Sequence, residues 1–168
     1  MPIGDIGNDI LEEVKARLNY IFGCPVAIAP GVRDFEQAYD QRREQYLASA
    51  LLTQLEASGA AEDEKVLGIV DTDLYAPRLN FVFGQADILS GIAIISLDRL
   101  RQEYYGLPSD KTLFLDRITK EAIHELGHTF GLGHCPDSRC IMHFSNSLAD
   151  TDWKQAAFCS QCRPKLIK

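Results

Sequence analysis

The chain has 168 residues, enough for one domain with a real core, and 46% of them are apolar, as in an ordinary soluble globular protein. Its net charge of −7 and pI near 5.0 argue against nucleic acid as a partner, since phosphate binding needs a basic face. Asp5, Asp9, Glu12 and Glu13 interrupt the first segment where a signal peptide would be continuously apolar, and no later run approaches the roughly 18 apolar residues of a membrane span. These features predict a cytoplasmic protein with no membrane partner; a monomer is the working expectation, since the sequence itself does not give the oligomeric state. In a reducing compartment, metal ligation is a better use of its five cysteines than disulfides.

From Asn8 to Phe22, Ile10, Val14, Leu18 and Ile21 recur at helical spacing, behind Asn8 or Asp9 as caps. "PVAIAP" (Pro25 to Pro30) reads as a strand. The pattern predicts a longer helix from Gln37 to Ser58, burying Tyr39, Tyr46, Leu47, Ala50, Leu51 and Leu55. A surface loop, Ala57 to Lys65, precedes three predicted strands: Lys65 to Val70, Asn80 to Gly84 ("NFVFG") and Gly91 to Leu97, all rich in β-branched or aromatic residues. A second long helix is predicted from Asp110 to Phe130. Beyond it the chain has little apolar periodicity. The order fits a single α/β or α+β domain, with sheet and helices over residues 1–131 and an irregular part, 132–168, that something other than a core must hold. Cys24, beside the first predicted strand, reads as a buried free thiol.

"HELGHTFGLGHC", His124 to Cys135, lies at the end of the second helix. At about 100° per residue, Leu115, Ile118, Ala122, Leu126 and Phe130 form one apolar stripe, while His124 and His128 lie about 40° from one another on the other side. The histidines are therefore expected off the face that the helix buries in the main core. Spacing of i and i+4 lets two imidazoles reach one ion, and Gly131 and Gly133 let the chain turn so that His134 returns as a third ligand. Three protein ligands on tetrahedral zinc leave one position for water, the arrangement of a catalytic site. Glu125, beside the first ligand, is placed to take that water's proton.

Cys135, Cys140, Cys159 and Cys162 give Cys-x4-Cys and Cys-x2-Cys, the pattern of a closed four-cysteine structural zinc site. Disulfides and an iron–sulfur cluster are the alternatives for these thiols. Two zinc ions per chain are expected, one catalytic and one structural. His134 would serve the first and the adjacent Cys135 the second.

H-E-x-x-H-x-x-G-x-x-H is the motif of the metzincin clan of zinc peptidases, and "CIMHF" (Cys140 to Phe144) resembles its methionine turn, with Met142 in the methionine's place. Some metzincins have tyrosine two residues after that methionine; here it is Phe144, which has no hydroxyl to offer a metal or an oxyanion. The run from the motif into cysteine, then C-x4-C-x-M and a late C-x-x-C, resembles the archaemetzincin family. So do "RREQY", "DLY" and "NFVFGQA" upstream, and the likeness covers about Arg42 to Lys165. The resemblance implies a metzincin-like fold, with a small twisted mixed sheet backed by helices, an active-site helix and a C-terminal segment stapled by the cysteines. It also implies a peptide substrate pairing with an edge strand, for which "NFVFG" is the analogous segment.

The expected activity is zinc-dependent hydrolysis of a peptide or protein, with Glu125 as general base and His124, His128 and His134 as metal ligands. A non-catalytic zinc-binding regulatory or interaction protein is the alternative, against which the presence of Glu125 counts. A non-peptide amide hydrolase would use the same chemistry.

Overall fold

Two five-residue runs, "VLGIV" and "IAIIS", carry one polar side chain between them, and such strands are stable only where both faces of a sheet are covered. The computed structural model describes residues 1–58 and 64–166. Its elements run β1 (Pro2–Ile3), α1 (Asn8–Phe22), β2 (Tyr39–Asp40), β3 (Gln45–Leu47), α2 (Ala48–Ala57), β4 (Val66–Val70), β5 (Leu74–Tyr75), β6 (Gly84–Asp87), β7 (Ile92–Ser96), α3 (Lys111–Thr129) and α4 (Leu148–Trp153). The main sheet has the order β1-β4-β7-β6. The first two pairings are parallel, and β6 is antiparallel to β7 at the edge. A smaller sheet pairs β2, β3 and β5.

The period of two along each strand sorts the apolar residues onto two faces. Ile92 and Ile94 pack with Leu51, Leu52 and Leu55 of α2, whereas Ala93 and Ile95 join Leu67 and Ile69 of β4 under α1 and α3. The second cluster continues past α3 to Ile141, Met142 and Phe158, so one core reaches the carboxy-terminal part. α1 presents Leu11, Val14 and Leu18 to it and ends at Gly23, whose φ of +64° closes the last turn onto Asn19. Among the described residues no helix is long and apolar enough to cross a membrane.

Several sequence expectations change here. Pro25 to Pro30 forms no strand; the sheet edge is met instead by Val32, bridged to Ile3. The predicted helix from Gln37 to Ser58 begins only at Ala48. Tyr39 and Tyr46, two helical turns apart in sequence, are cross-strand partners of a β2–β3 hairpin with ring centroids 5.0 Å apart. The hairpin turn has Asp40 accepting from the amide of Arg42 and Glu44 at φ +56°. "NFVFG" is not the edge strand: Val82 makes only an isolated bridge to Leu74, and the strand starts at Gly84. The Asn80 carbonyl is taken by the side chains of Arg43 and Gln45, off any ladder. Cys24 is exposed, because it follows the left-handed residue that ends α1 and lies outside the core. Residues 59–63 of the expected surface loop lie outside the described residues.

Candidate metal centres

α3 begins at Asp110, whose carboxylate accepts from the amide of Leu113. Its second half is buried on nearly every side, from Arg117 to Gly127. The expectation that His124 lies off the buried face is thus corrected: the carboxy-terminal segment covers the side opposite the sheet, and His124 is 4% exposed. The helix ends in a Schellman turn, with the amide of Leu132 bonded to the carbonyl of Gly127 and that of Gly131, at φ +84°, to the carbonyl of His128. That reversal returns His134 to the helix. The three imidazoles lie with ring centroids 4.7, 4.9 and 5.5 Å apart, and one nitrogen of each falls within 4.8 Å of the others.

Hydrogen bonds decide which nitrogens face inward. Nδ1 of His124 is 2.7 Å from the carbonyl oxygen of Ile141, and Nδ1 of His128 is 2.7 Å from that of Leu132. A carbonyl only accepts, so both Nδ1 atoms carry the proton and both Nε2 atoms are bare. Those two bare Nε2 atoms face each other at 3.2 Å. Burial lowers the pKa of all three histidines, so a shared proton is disfavoured. Two nitrogens on a tetrahedral zinc are about 3.3–3.4 Å apart, given bonds of about 2.0–2.1 Å. The donor set fits a zinc-sized cation.

Glu125 is buried, and burial, then the neighbouring Glu121, raises its pKa well above the carboxylate range, while Lys154 pulls it back. Its side chain lies against the backbone of Gly84: a Cβ there would stand 2.6 Å from Cγ of Glu125 and 2.7 Å from the carbonyl of Ile94. Glycine at the start of β6 is thus what lets the carboxylate reach the edge strand. Lys154 and Glu121 form a buried ion pair at 3.2 Å, and the hydroxyl of Thr151 donates to the same carboxylate oxygen. With the bidentate Arg117–Asp152 pair, this fastens the α4 segment to α3.

Cys135, Cys140, Cys159 and Cys162 form the second cluster, also within 4.8 Å. Sγ of Cys135 is 3.8 Å from Sγ of Cys159, and two sulfurs on tetrahedral zinc, each at about 2.3 Å, are about 3.8 Å apart. The amide of Cys162 lowers the Cys159 thiol to about 7, whereas burial raises those of Cys140 and Cys162, so filling the site displaces protons.

Met142 is fully buried between the clusters. A Cβ on Gly127 would stand 2.4 Å from its sulfur and 3.3 Å from the ring of Phe158. Alanine at Gly127 gains about 1 kcal/mol of helix propensity but overpacks a core contact, at a cost of about 1–3 kcal/mol. Gly127→Ala is therefore expected to lower the melting temperature; an unchanged or higher value would show that Met142 can yield freely. Phe144, half exposed, stands edge-on to His134 with centroids 5.0 Å apart.

All seven predicted ligands are thus brought into two clusters, and Glu125, next in sequence to His124, is buried against Gly84. Gly84, Glu121 and Lys154 were not foreseen. Only Gly84 had a signal, a glycine inside a strand-like run, which marks close backbone approach.

Against known proteins, the model of Peptidase family M54 matches residues 3–168. An archaemetzincin from Pyrococcus furiosus is 44% identical over 99% of this chain and 90% of its own length. The crystal structure of a zinc-dependent peptidase from Methanocorpusculum labreanum superposes with a TM-score of 0.90 at 34% identity, covering 99% of this chain and 98% of that one. That of archaemetzincin from Methanopyrus kandleri does so with a TM-score of 0.85 at 40% identity, covering 98% and 91%.

Proposed function

The chain belongs to peptidase family M54, the archaemetzincins, and is a zinc-dependent metallopeptidase; we propose that His124, His128 and His134 hold its catalytic zinc and that Glu125 is the general base. The observation that carries this reading is the pair of bare Nε2 atoms facing each other at 3.2 Å, one of them on the residue that precedes the buried Glu125. Zinc held there supplies a Lewis acid that polarises the scissile carbonyl and lowers the pKa of bound water to about 7. A peptide in extended form pairs with the free edge of β6. Glu125, packed against the first residue of that strand, accepts the proton of the attacking water and delivers it to the leaving amine. The four cysteines hold a second zinc with no open position, a structural role. A cytoplasmic location suits this cluster, since a reducing compartment keeps the thiols available.

Mass spectrometry of protein purified without chelator is expected to give two zinc ions per chain. The one at the histidines, open to solvent through the exposed His134, leaves first when a chelator is added or the pH is lowered, because protons compete for its imidazoles. Iron in place of the tightly held zinc would overturn the structural assignment.

A further inference from the structure

The fourth histidine, His143, belongs to neither ligand cluster, and its own bonds run to two members of the cysteine cluster. Its Nδ1–H donates to the carbonyl of Cys135 at 2.9 Å, and its own amide donates to the carbonyl of Cys140 at 3.0 Å. The amide of Cys135 in turn donates to the carbonyl of Met142 at 2.9 Å. Cys135 is thereby clamped at its amide and its carbonyl by two consecutive residues of the methionine turn. The amide held by Met142 belongs to the peptide joining His134 to Cys135, so that bond bears directly on the third histidine, and the His143 bond acts on it through Cys135. One residue earlier in the turn, the carbonyl of Ile141 accepts from Nδ1 of His124. One residue before that, Cys140 is a member of the cysteine cluster and takes the amide of Cys159 on its sulfur at 3.4 Å. Residues 140–143 thus touch both ligand sets through bonds whose geometry each set needs.

We propose that His143 is a positioning residue that couples the two metal sites, so that zinc held by the cysteines raises the affinity of the histidines for theirs. The proposal rests on the assignment of both clusters as zinc sites. A ligand whose partner is held in place binds more tightly than one that must be ordered first, and loss of such outer partners weakens metal binding by about 10–100-fold. Coupling is reciprocal: whatever one metal adds to the affinity of the other, it receives in return.

The test measures zinc affinity at each site by chelator competition, with cobalt spectra to tell thiolate from imidazole ligation, for the full chain and for His143→Leu and His143→Asn. His143→Leu keeps all seven proposed ligands and removes the donor, and a loss of about 10-fold at the histidine site is expected, the low end of the range because the bond reaches His134 only through Cys135. His143→Asn, whose amide nitrogen can stand where Nδ1 stood, should recover most of it. His128→Ala, which empties the histidine site, should weaken the cysteine site in the wild-type background but not in the His143→Leu background. Unchanged histidine-site affinity in His143→Leu overturns the coupling. So does an equal loss at both sites that asparagine does not restore, which would mark a merely structural residue. If the wild-type chain binds a single zinc and the histidines take none, the site assignment itself has failed, and the coupling with it.

Discussion

Glu125→Gln should lose turnover by about 10²–10⁴-fold while keeping its zinc and its melting temperature. Glutamine has the same shape but cannot accept and return a proton, so the step removed is the transfer between water and leaving amine. The fold has little reason to suffer. Burial and Glu121 already disfavour the charged form of Glu125, and a neutral amide removes that cost. The close contact with Gly84 sets a limit on size that glutamine respects. A melting temperature equal to or slightly above wild type is therefore expected, in keeping with the destabilising character of many active-site groups. Wild-type rates on any peptide that the parent cleaves would refute the assignment of the base. Loss of zinc together with activity would show instead that Glu125 supports the ligands.

The second large effect separates the two clusters. Cys162→Ser should collapse the fold, seen as aggregation or a melting temperature tens of degrees lower, with activity lost as a consequence. A structural zinc contributes on the order of 10 kcal/mol to folding, comparable with the whole stability of a domain, about 5–15 kcal/mol. Serine is a poor ligand for a soft site. Cys162 also lies in the main core with Cys135 and Cys140, so the damage reaches Ile141 and Met142 under the active-site helix. His128→Ala should behave differently. That side chain is half-buried and its Nδ1 bond runs only to Leu132, four residues on, so alanine removes a ligand without breaking a long-range contact. The expected result is a folded, inactive protein holding one zinc. Melting temperature and zinc content measured side by side decide the matter. A folded cysteine variant lacking one zinc, beside an unfolded histidine variant, would reverse the roles assigned to the two clusters.

What the sequence determined by itself is whatever depends on spacing within a few turns of chain. α1 and α3 could be read from periodicity, and β4 and β7 from their β-branched apolar runs, and their limits agree with the structure to within a residue or two. The two clusters that could hold a metal were legible because metal geometry demands donors at set intervals: i and i+4 on a helix, a glycine turn, paired cysteines. The tertiary structure alone decided the rest, since the energies concerned come from partners far along the chain. Tyr39 and Tyr46 carry a helical interval but pair across a hairpin whose third strand, β5, lies 28 residues away in register. The edge strand starts at Gly84 rather than Asn80, because Arg43 and Gln45 capture the Asn80 carbonyl from more than thirty residues back. Lys154 looks like any surface lysine until Glu121, 33 residues earlier, accepts its charge in the interior. His124 was assigned to the side away from the core because periodicity locates only the stripe that packs on the sheet. A helix covered on its second side by a segment with little apolar pattern of its own shows no second stripe, and that segment is held by ion pairs and carries the cysteine cluster, neither of which has a period to read.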